Sequence, residues 1–264
     1  MLKIIYFQFL FLTQKLIIRV FFKLYILKSN GLGNTYWNEV INVLRNIIPV
    51  YDKVNSVVSL GKDNNFRKEG ILEGVHSGNF ILDAGSGFGN MSKTVLESVS
   101  SDVTIVFYDP IYEMLNKVKD NINICINPFS FFLCSGVFEK IPFKSNIFDV
   151  VLCGYSLRDA IKLDVAIDEL HRVLKKGGRL VIVDLGKPDN FISRILVSFY
   201  LKYFLAILAF SVAGKRGIPF KTLYGTFLRW PKNQVLNNML SKSFSKVIFR
   251  KKLLGGAIVV VAYK

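Results

Sequence analysis

The sequence predicts an α/β chain built on a doubly wound, mainly parallel sheet, and three observations carry that expectation. The apolar run Phe80–Leu82 enters a glycine turn, Asp83-Ala84-Gly85-Ser86-Gly87-Phe88-Gly89-Asn90, and leaves it as a helical spacing over Met91–Val99. A second apolar run, Val103–Tyr108, ends on Asp109, about twenty residues beyond the turn. Further apolar strands then alternate with helical spacings, the order that wraps helices around a parallel sheet.

The glycine turn is the first element to justify. Alternate glycines let the backbone turn tightly and approach a ligand without a Cβ in the way, and the loop amides then face that ligand. An ordinary tight strand-to-helix connection has the same pattern, so the turn alone decides little. Asp109 adds weight, because a carboxylate at the end of the second strand is placed for ribose hydroxyls. A dinucleotide fits less well: G-x-G-x-x-G would need glycine at Asn90, and Asp83 would repel a pyrophosphate. An acid beside the loop suits a cofactor with a cationic amino-acid end, and S-adenosylmethionine is such a cofactor.

At 264 residues, 51% apolar and 20% charged, the chain can bury a full core and is not a disordered segment. Its net charge of +16 is unevenly spread: residues 1–38 hold five basic and no acidic residues, and residues 190–264 hold thirteen basic and none acidic. Both flanks are rich in Phe, Leu, Ile and Tyr, which favours an anionic membrane surface over nucleic acid as partner. Cys125, Cys134 and Cys153 show no C-x-x-C spacing, so neither a disulfide framework nor a zinc site is expected, and a reducing cytoplasm fits. His76 and His171 stand alone as surface or cap residues.

In chain order, Met1–Lys28 is apolar but interrupted by Lys3, Lys15, Arg19, Lys23 and Lys28. It reads as an interfacial amphipathic helix, against a mis-assigned start or a helix packed on the body. Residues 1–35 are thus a membrane-associating extension, with Ser29–Asn34 as linker, and 36–264 form the catalytic domain. A helix is expected over Tyr36–Val57, burying Val40, Val43, Leu44, Ile47 and Ile48. Strands three and four are Phe131–Leu133 and Ile147–Leu152, followed by a helix over Ile161–Leu174 and a fifth strand over Arg179–Leu185. Residues 190–230 form an apolar cap insert, whose helix Phe191–Ala213 is too broken by Arg194 and Lys202 to span a membrane. Pro231 starts the last helix, and Ser245–Phe249 with Ala257–Ala262 closes the chain as a hairpin.

Several motifs together carry a family resemblance. Pro49–Asn55 with Ser59-Leu60-Gly61, the loop Asp83–Gly89, Glu139–Phe143 with Phe148-Asp149, Tyr155–Asp159, Glu169–Leu180 and Gly186-Lys187-Pro188 resemble the ubiquinone/menaquinone biosynthesis C-methyltransferases over about residues 45–264. The resemblance implies the seven-stranded Rossmann-like sheet of class I S-adenosylmethionine-dependent methyltransferases, with amino-terminal helices and a cap after strand five. It implies a cofactor set of Tyr51, Asp83, Gly85, Ser86, Gly87, Gly89, Asp109, Pro110, Val137, Phe138 and Gly154, with Arg158 and Asp159 catalytic. The expected substrate is a prenylated quinol, and the expected place is the inner face of the cell membrane. The chain departs from the family pattern at Val137, where a polar partner for the adenine amino group is usual, and at Asp159 and Lys176.

The chemistry requires little apparatus. Methyl transfer from a sulfonium is an in-line displacement, so the protein mainly fixes approach and excludes water. A quinol carbon becomes nucleophilic when a phenolic hydroxyl of pKa about 10 ionises, and a fixed cation stabilises that phenolate. Arg158 is the candidate, with a salt bridge to Asp159 or Asp164 as its competing structural role; the proton leaves through water or Asp159. Three other readings stay open. One is a nucleic-acid methyltransferase, since Asn127-Pro128-Phe129 is similar to N-P-P-Y. The others are a methyltransferase of another apolar small molecule or lipid, and a cofactor-binding scaffold without turnover, supported by Val137.

Overall fold

The computed structural model describes residues 30–50, 56, 59, 61–99, 102–122, 129–215 and 222–264. The expectations on Met1–Lys28, Tyr51–Asn55, Cys125 and Asn127-Pro128 lie outside the described residues.

Seven strands form one sheet: β1 Phe80–Ala84, β2 Thr104–Asp109, β3 Ser130–Ser135, β4 Phe148–Gly154, β5 Leu174–Leu185, β6 Lys246–Lys252 and β7 Ala257–Tyr263. Their spatial order is β3-β2-β1-β4-β5-β7-β6. The first five are parallel, while β7 runs antiparallel between β5 and β6. Hence the closing hairpin inserts its second strand into the sheet, which the pattern of either strand alone could not show.

Successive residues of each central strand feed different cores, because side chains alternate across the sheet. Ile81, Val150, Val181 and Val259 face α2 (Asp63–Gly74) and α3 (Asn90–Ser98), whose Ile71 and Val95 are fully buried. Leu82, Val151, Leu180 and Val260 face α6 (Leu163–Val173) and α10 (Asn233–Ser243), where Leu170 and Leu240 are fully buried. Both faces are therefore dry, which is why these strands read as unbroken apolar runs.

The remaining helices are α1 Asn34–Ile47, α4 Tyr112–Leu115, α5 Val118–Ile122, α7 Phe191–Phe199, α8 Leu205–Ala213 and α9 Thr222–Arg229. Four expectations change. The first helix stops at Ile47 instead of Val57, because Pro49 has no amide hydrogen to continue the helical bonding to the carbonyl four residues back, and the chain tightens into a 3₁₀ turn over Ile48–Val50. It buries Val40, Ile41 and Ile47, with Val43 and Leu44 only partly covered. The fifth strand begins at Leu174, paired with Phe148, and tolerates the Gly177-Gly178 kink because Gly177 and Gly178 bond the main chain of Lys264. Asn30–Asn34 is not a free linker: Leu32 and Gly33 donate to the carbonyls of Ala160 and Ile161 at 2.8 and 3.0 Å. The close approach needs Gly31, where a Cβ would collide with the Ile161 carbonyl.

The fourth change concerns the cap. Phe191–Ser211 is 21 residues long with a mean hydropathy of 1.7, so by length and composition it could cross a membrane despite Arg194 and Lys202. A π turn over Tyr200–Phe204 joins its two halves.

Candidate active site

The carboxyl ends of β1, β2 and β4 open into a cleft of about 600 Å³, counted to its open mouth. Gly85, Gly87, Asp109, Pro110, Val137, Phe138 and Asp159 line it, as do Trp37, Met114, Gly136 and Tyr155. The main chain sets its shape. Gly85 and Ser86 donate to the Tyr108 carbonyl at 2.7 and 3.1 Å, which ties the glycine turn to the end of β2. Gly85 has φ +67°, and a Cβ there would run into the Ser156 side chain and lie 3.0 Å from the Phe138 ring. The Tyr108 hydroxyl donates to the Val137 and Lys140 carbonyls at 2.8 and 3.1 Å, fixing the opposite wall.

Asp109 stands between these walls. Its Oδ2 accepts from the Gly87 amide and its Oδ1 from the Ile111 amide, both at 2.8 Å. Burial pushes its carboxyl up to about 6 and the two amides oppose this. Each oxygen keeps a further lone pair for ribose hydroxyls. Asp83, Ser86, Gly89 and Gly154 do not line the cleft but build its back. The Asp83 carboxylate accepts from the Ser92 hydroxyl at 2.6 Å, and burial raises it to about 6. Asp83 Oδ1 and Ser86 Oγ are buried polar atoms with no hydrogen-bond partner among the described residues. Gly89 starts α3 in the left-handed region, and a Cβ at Gly154 would press on Met91. Tyr51 lies outside the described residues.

A second cavity, of about 510 Å³ by the same measure, sits under the cap and is lined by Ser59, Asp63, Phe66, Tyr155, Arg158, Leu185, Leu223, Leu253, Gly256 and Ala257. Arg158 belongs to this cavity and Asp159 to the first, and Tyr155 lines both. Tyr155 holds φ 56°, uncommon for a side chain this large. Two guanidiniums flank its ring, with Arg67 at 5.1 Å and Arg158 at 5.8 Å from the centroid. Sequence reading assigns this residue no role of its own, although it opens the Tyr155–Asp159 motif directly after β4.

The chief partner of Arg158 is neither Asp159 nor Asp164. Its Nη1 donates to Asp184 Oδ1 at 2.6 Å, and Asp184 is fully buried at the end of β5. Asp159 lies 4.0 Å from Arg158 Nε, and Asp164 instead accepts from Asn30. Burial pushes the Asp159 carboxyl up to about 7, with Asp184 and Asp109 adding and Arg158 opposing.

The cap is fastened from below by a second motif residue. Buried Lys187 donates from Nζ to the carbonyls of Leu228 and Trp230 at 3.0 and 2.9 Å, and burial lowers its ammonium to about 8.

The first cavity fits S-adenosylmethionine. It has a Cβ-free floor at Gly85, a buried carboxylate at Asp109 for a ribose, an apolar wall at Val137 and Phe138 for a base, and buried acceptors at its back. The comparisons with known proteins agree. A Francisella tularensis protein named ubiquinone/menaquinone biosynthesis C-methyltransferase UbiE is 25% identical over 244 residues, 89% of this chain and 96% of that one. A demethylmenaquinone methyltransferase of Bacteroides fragilis is 27% identical over 239 residues, covering 86% and 92%. Among solved structures, an S-adenosylmethionine-dependent methyltransferase from Aquifex aeolicus superposes with a TM-score of 0.53 at 17% identity, covering 80% of this chain and 97% of that one. A methyltransferase fold from Methanococcus maripaludis gives 0.54 at 16% identity, covering 83% and 91%. The model of the ubiE/COQ5 methyltransferase family matches residues 31–264, nearly the whole described chain. This chain is therefore an S-adenosylmethionine-dependent methyltransferase and belongs to the ubiE/COQ5 methyltransferase family.

Proposed function

We propose that the chain methylates a ring carbon of a prenylated quinol on the way to a respiratory quinone. The observation that carries this reading is the cavity under the cap, which is polar at Arg158, Asp63 and Tyr155 and apolar at Phe66, Leu185, Leu223 and Leu253. A hydroxylated ring with a hydrocarbon tail has the same division. The bound cofactor supplies an electrophilic methyl group; the chain supplies position and charge. Arg158 stabilises the phenolate, and its bond to Asp184 holds the guanidinium in place while lowering the net charge it offers. Asp159 lies 4.0 Å from Arg158 Nε on the cofactor side and accepts the phenolic proton where the ring reaches past Tyr155, for which a carboxyl near 7 is suited. Once the ring carbon has taken the methyl group from sulfur, that carbon's own proton moves to the phenolate oxygen and the ring regains aromaticity. Tyr155, shared by both cavities, shapes the passage between them and keeps water from it.

Such a substrate resides in lipid, and the basic, apolar flanks fit a peripheral place on the cytoplasmic face of the membrane. Mass spectrometry of quinones from a cell lacking this protein tests the reaction. The expected result is loss of the methylated quinone and accumulation of its precursor one methyl short. An unchanged quinone profile would remove the assignment.

A further inference from the structure

Phe191–Ser211 has two apolar faces, and only one is covered. The inner face packs on the body. Leu201 and Leu205 join Leu185 and Phe227, and Ala209 packs against Ile47 of α1. Leu201, Leu205 and Ala209 are 2%, 0% and 0% exposed. On the outer face Ile192, Leu196, Phe199, Phe204, Ile207 and Phe210 are between 50% and 68% exposed. Six large apolar side chains along one element exceed what scattered surface residues explain.

The length and hydropathy of this helix would also suit a membrane span. Crossing the bilayer, however, would strip Leu201, Leu205 and Ala209 from their contacts with α1, β5 and α9. A helix held to the body on one side and bare on the other lies in the interface plane. Its surroundings select the occupant. Residues 190–232 carry Arg194, Lys202, Lys215, Arg216, Lys221, Arg229 and Lys232 and no Asp or Glu. A second copy presenting the same face would meet it with charge of the same sign, and so would residues 1–29, with five cations and no acid. Anionic lipid headgroups meet it with the opposite sign.

We propose that the outer face of Phe191–Ser211 is the membrane-contact surface of this enzyme and lies flat in an anionic bilayer, its aromatic and aliphatic side chains among the acyl chains. The proposal rests on the peripheral-membrane reading above and assigns it to a specific element. It also gives the cap a purpose. The inner side of the same helix touches Leu223 and Leu185, which line the second cavity, so a hydrocarbon tail leaving the bilayer has a short apolar way to Arg158.

The test uses the full chain with Phe199→Trp and, separately, Phe210→Trp. Vesicles of phosphatidylcholine with phosphatidylglycerol are compared with phosphatidylcholine alone, each with and without brominated acyl chains. The expected result is a blue-shifted emission on anionic vesicles, quenched at least twofold more by brominated lipid than the emission of the unsubstituted protein, whose own Trp37 and Trp230 provide the background. The triple variant Phe199→Ser/Ile207→Ser/Phe210→Ser should bind these vesicles at least tenfold more weakly while keeping its turnover on a short-tailed, water-soluble quinol. Two results would overturn the proposal: unquenched emission from protein that still floats with the vesicles, or emission already blue-shifted without lipid. A change from dimer to monomer in the triple variant would also overturn it, assigning the face to a second copy. Vesicle binding is measured without substrate, so it stands or falls separately from quinol methylation.

Discussion

The first cleft gathers its walls at the carboxyl ends of three neighbouring strands and along one face of α1, and its floor is backbone around Gly85 and Gly87. The cavity beneath the cap draws on five separated segments, around Ser59–Phe66, Tyr155–Arg158, Leu185, Leu223 and Leu253–Ala257. In the cleft, bonds from glycine amides, Gly85 to the Tyr108 carbonyl and Gly87 to the Asp109 carboxylate, set the geometry. In the cavity, geometry depends on a buried ion pair and on how the cap sits. On the function proposed above, the first arrangement serves one cofactor, and the second can change its substrate by changing any one of its segments.

The sharpest way to break this contrast is Arg158→Ala. It leaves Asp184 buried without its cation, which should cost about 3–5 kcal/mol of stability and lower turnover by about two to three orders of magnitude. Arg158→Met combined with Asp184→Leu should restore the urea midpoint and leave turnover low. Turnover that returned together with stability would reduce Arg158 to a structural role.

On the cleft side, Asp109→Ala should weaken S-adenosylmethionine by about 2–4 kcal/mol in calorimetry, through lost charge-assisted bonds to the ligand and release of the Gly87 amide. Stability should change far less than in Arg158→Ala, and an equal loss of stability would erase the distinction between the two sites.

Asp159 sharpens the comparison by pH. With a carboxyl near 7, turnover should fall about fivefold between pH 7 and pH 6 as the proton acceptor becomes occupied, and Asp159→Asn should abolish that limb. The stability sign is opposite to that of a paired surface carboxylate. Its folded pKa is raised, so its contribution is full below about pH 4 and lost as pH rises through about 7. Thermal melts at pH 8 should therefore find the Asn variant no less stable than the parent.

The smallest effect is expected where the cap meets α1. The Tyr36 hydroxyl donates to the Thr222 carbonyl at 2.8 Å, and Arg229 lies 3.7 Å over its ring. Tyr36→Phe should cost about 1 kcal/mol in denaturant unfolding. It should raise KM for a long-tailed quinol with kcat unchanged, because only the seating of the cap is loosened.

The same contrast explains what could be read from the chain. The strand–glycine–helix unit and Asp109 lie within one short stretch and answer to local rules, so the cleft and the doubly wound sheet were legible from residues alone. The partner of Arg158 was not: Asp184 is 26 positions away, at the end of another strand, and looks in sequence like the last polar residue of a buried run. Tyr155 stood in a motif without a role, because its positive φ and two neighbouring guanidiniums leave no pattern of their own. The cap helix was judged by its charges, whereas its burial on one side alone decides how it lies.

The insertion of β7 between β5 and β6 has a consequence for how the molecule is made. Leu185 pairs with Ala257 and Arg179 with Tyr263, 72 and 84 positions apart. Until β7 is synthesised, the wholly buried strand Leu180–Leu185 is an open edge, and the apolar cap emerges during that interval. At about 5–20 residues per second the exposure lasts on the order of 4–16 s, long enough for a holding chaperone or the membrane itself to receive the nascent chain before the sheet can close.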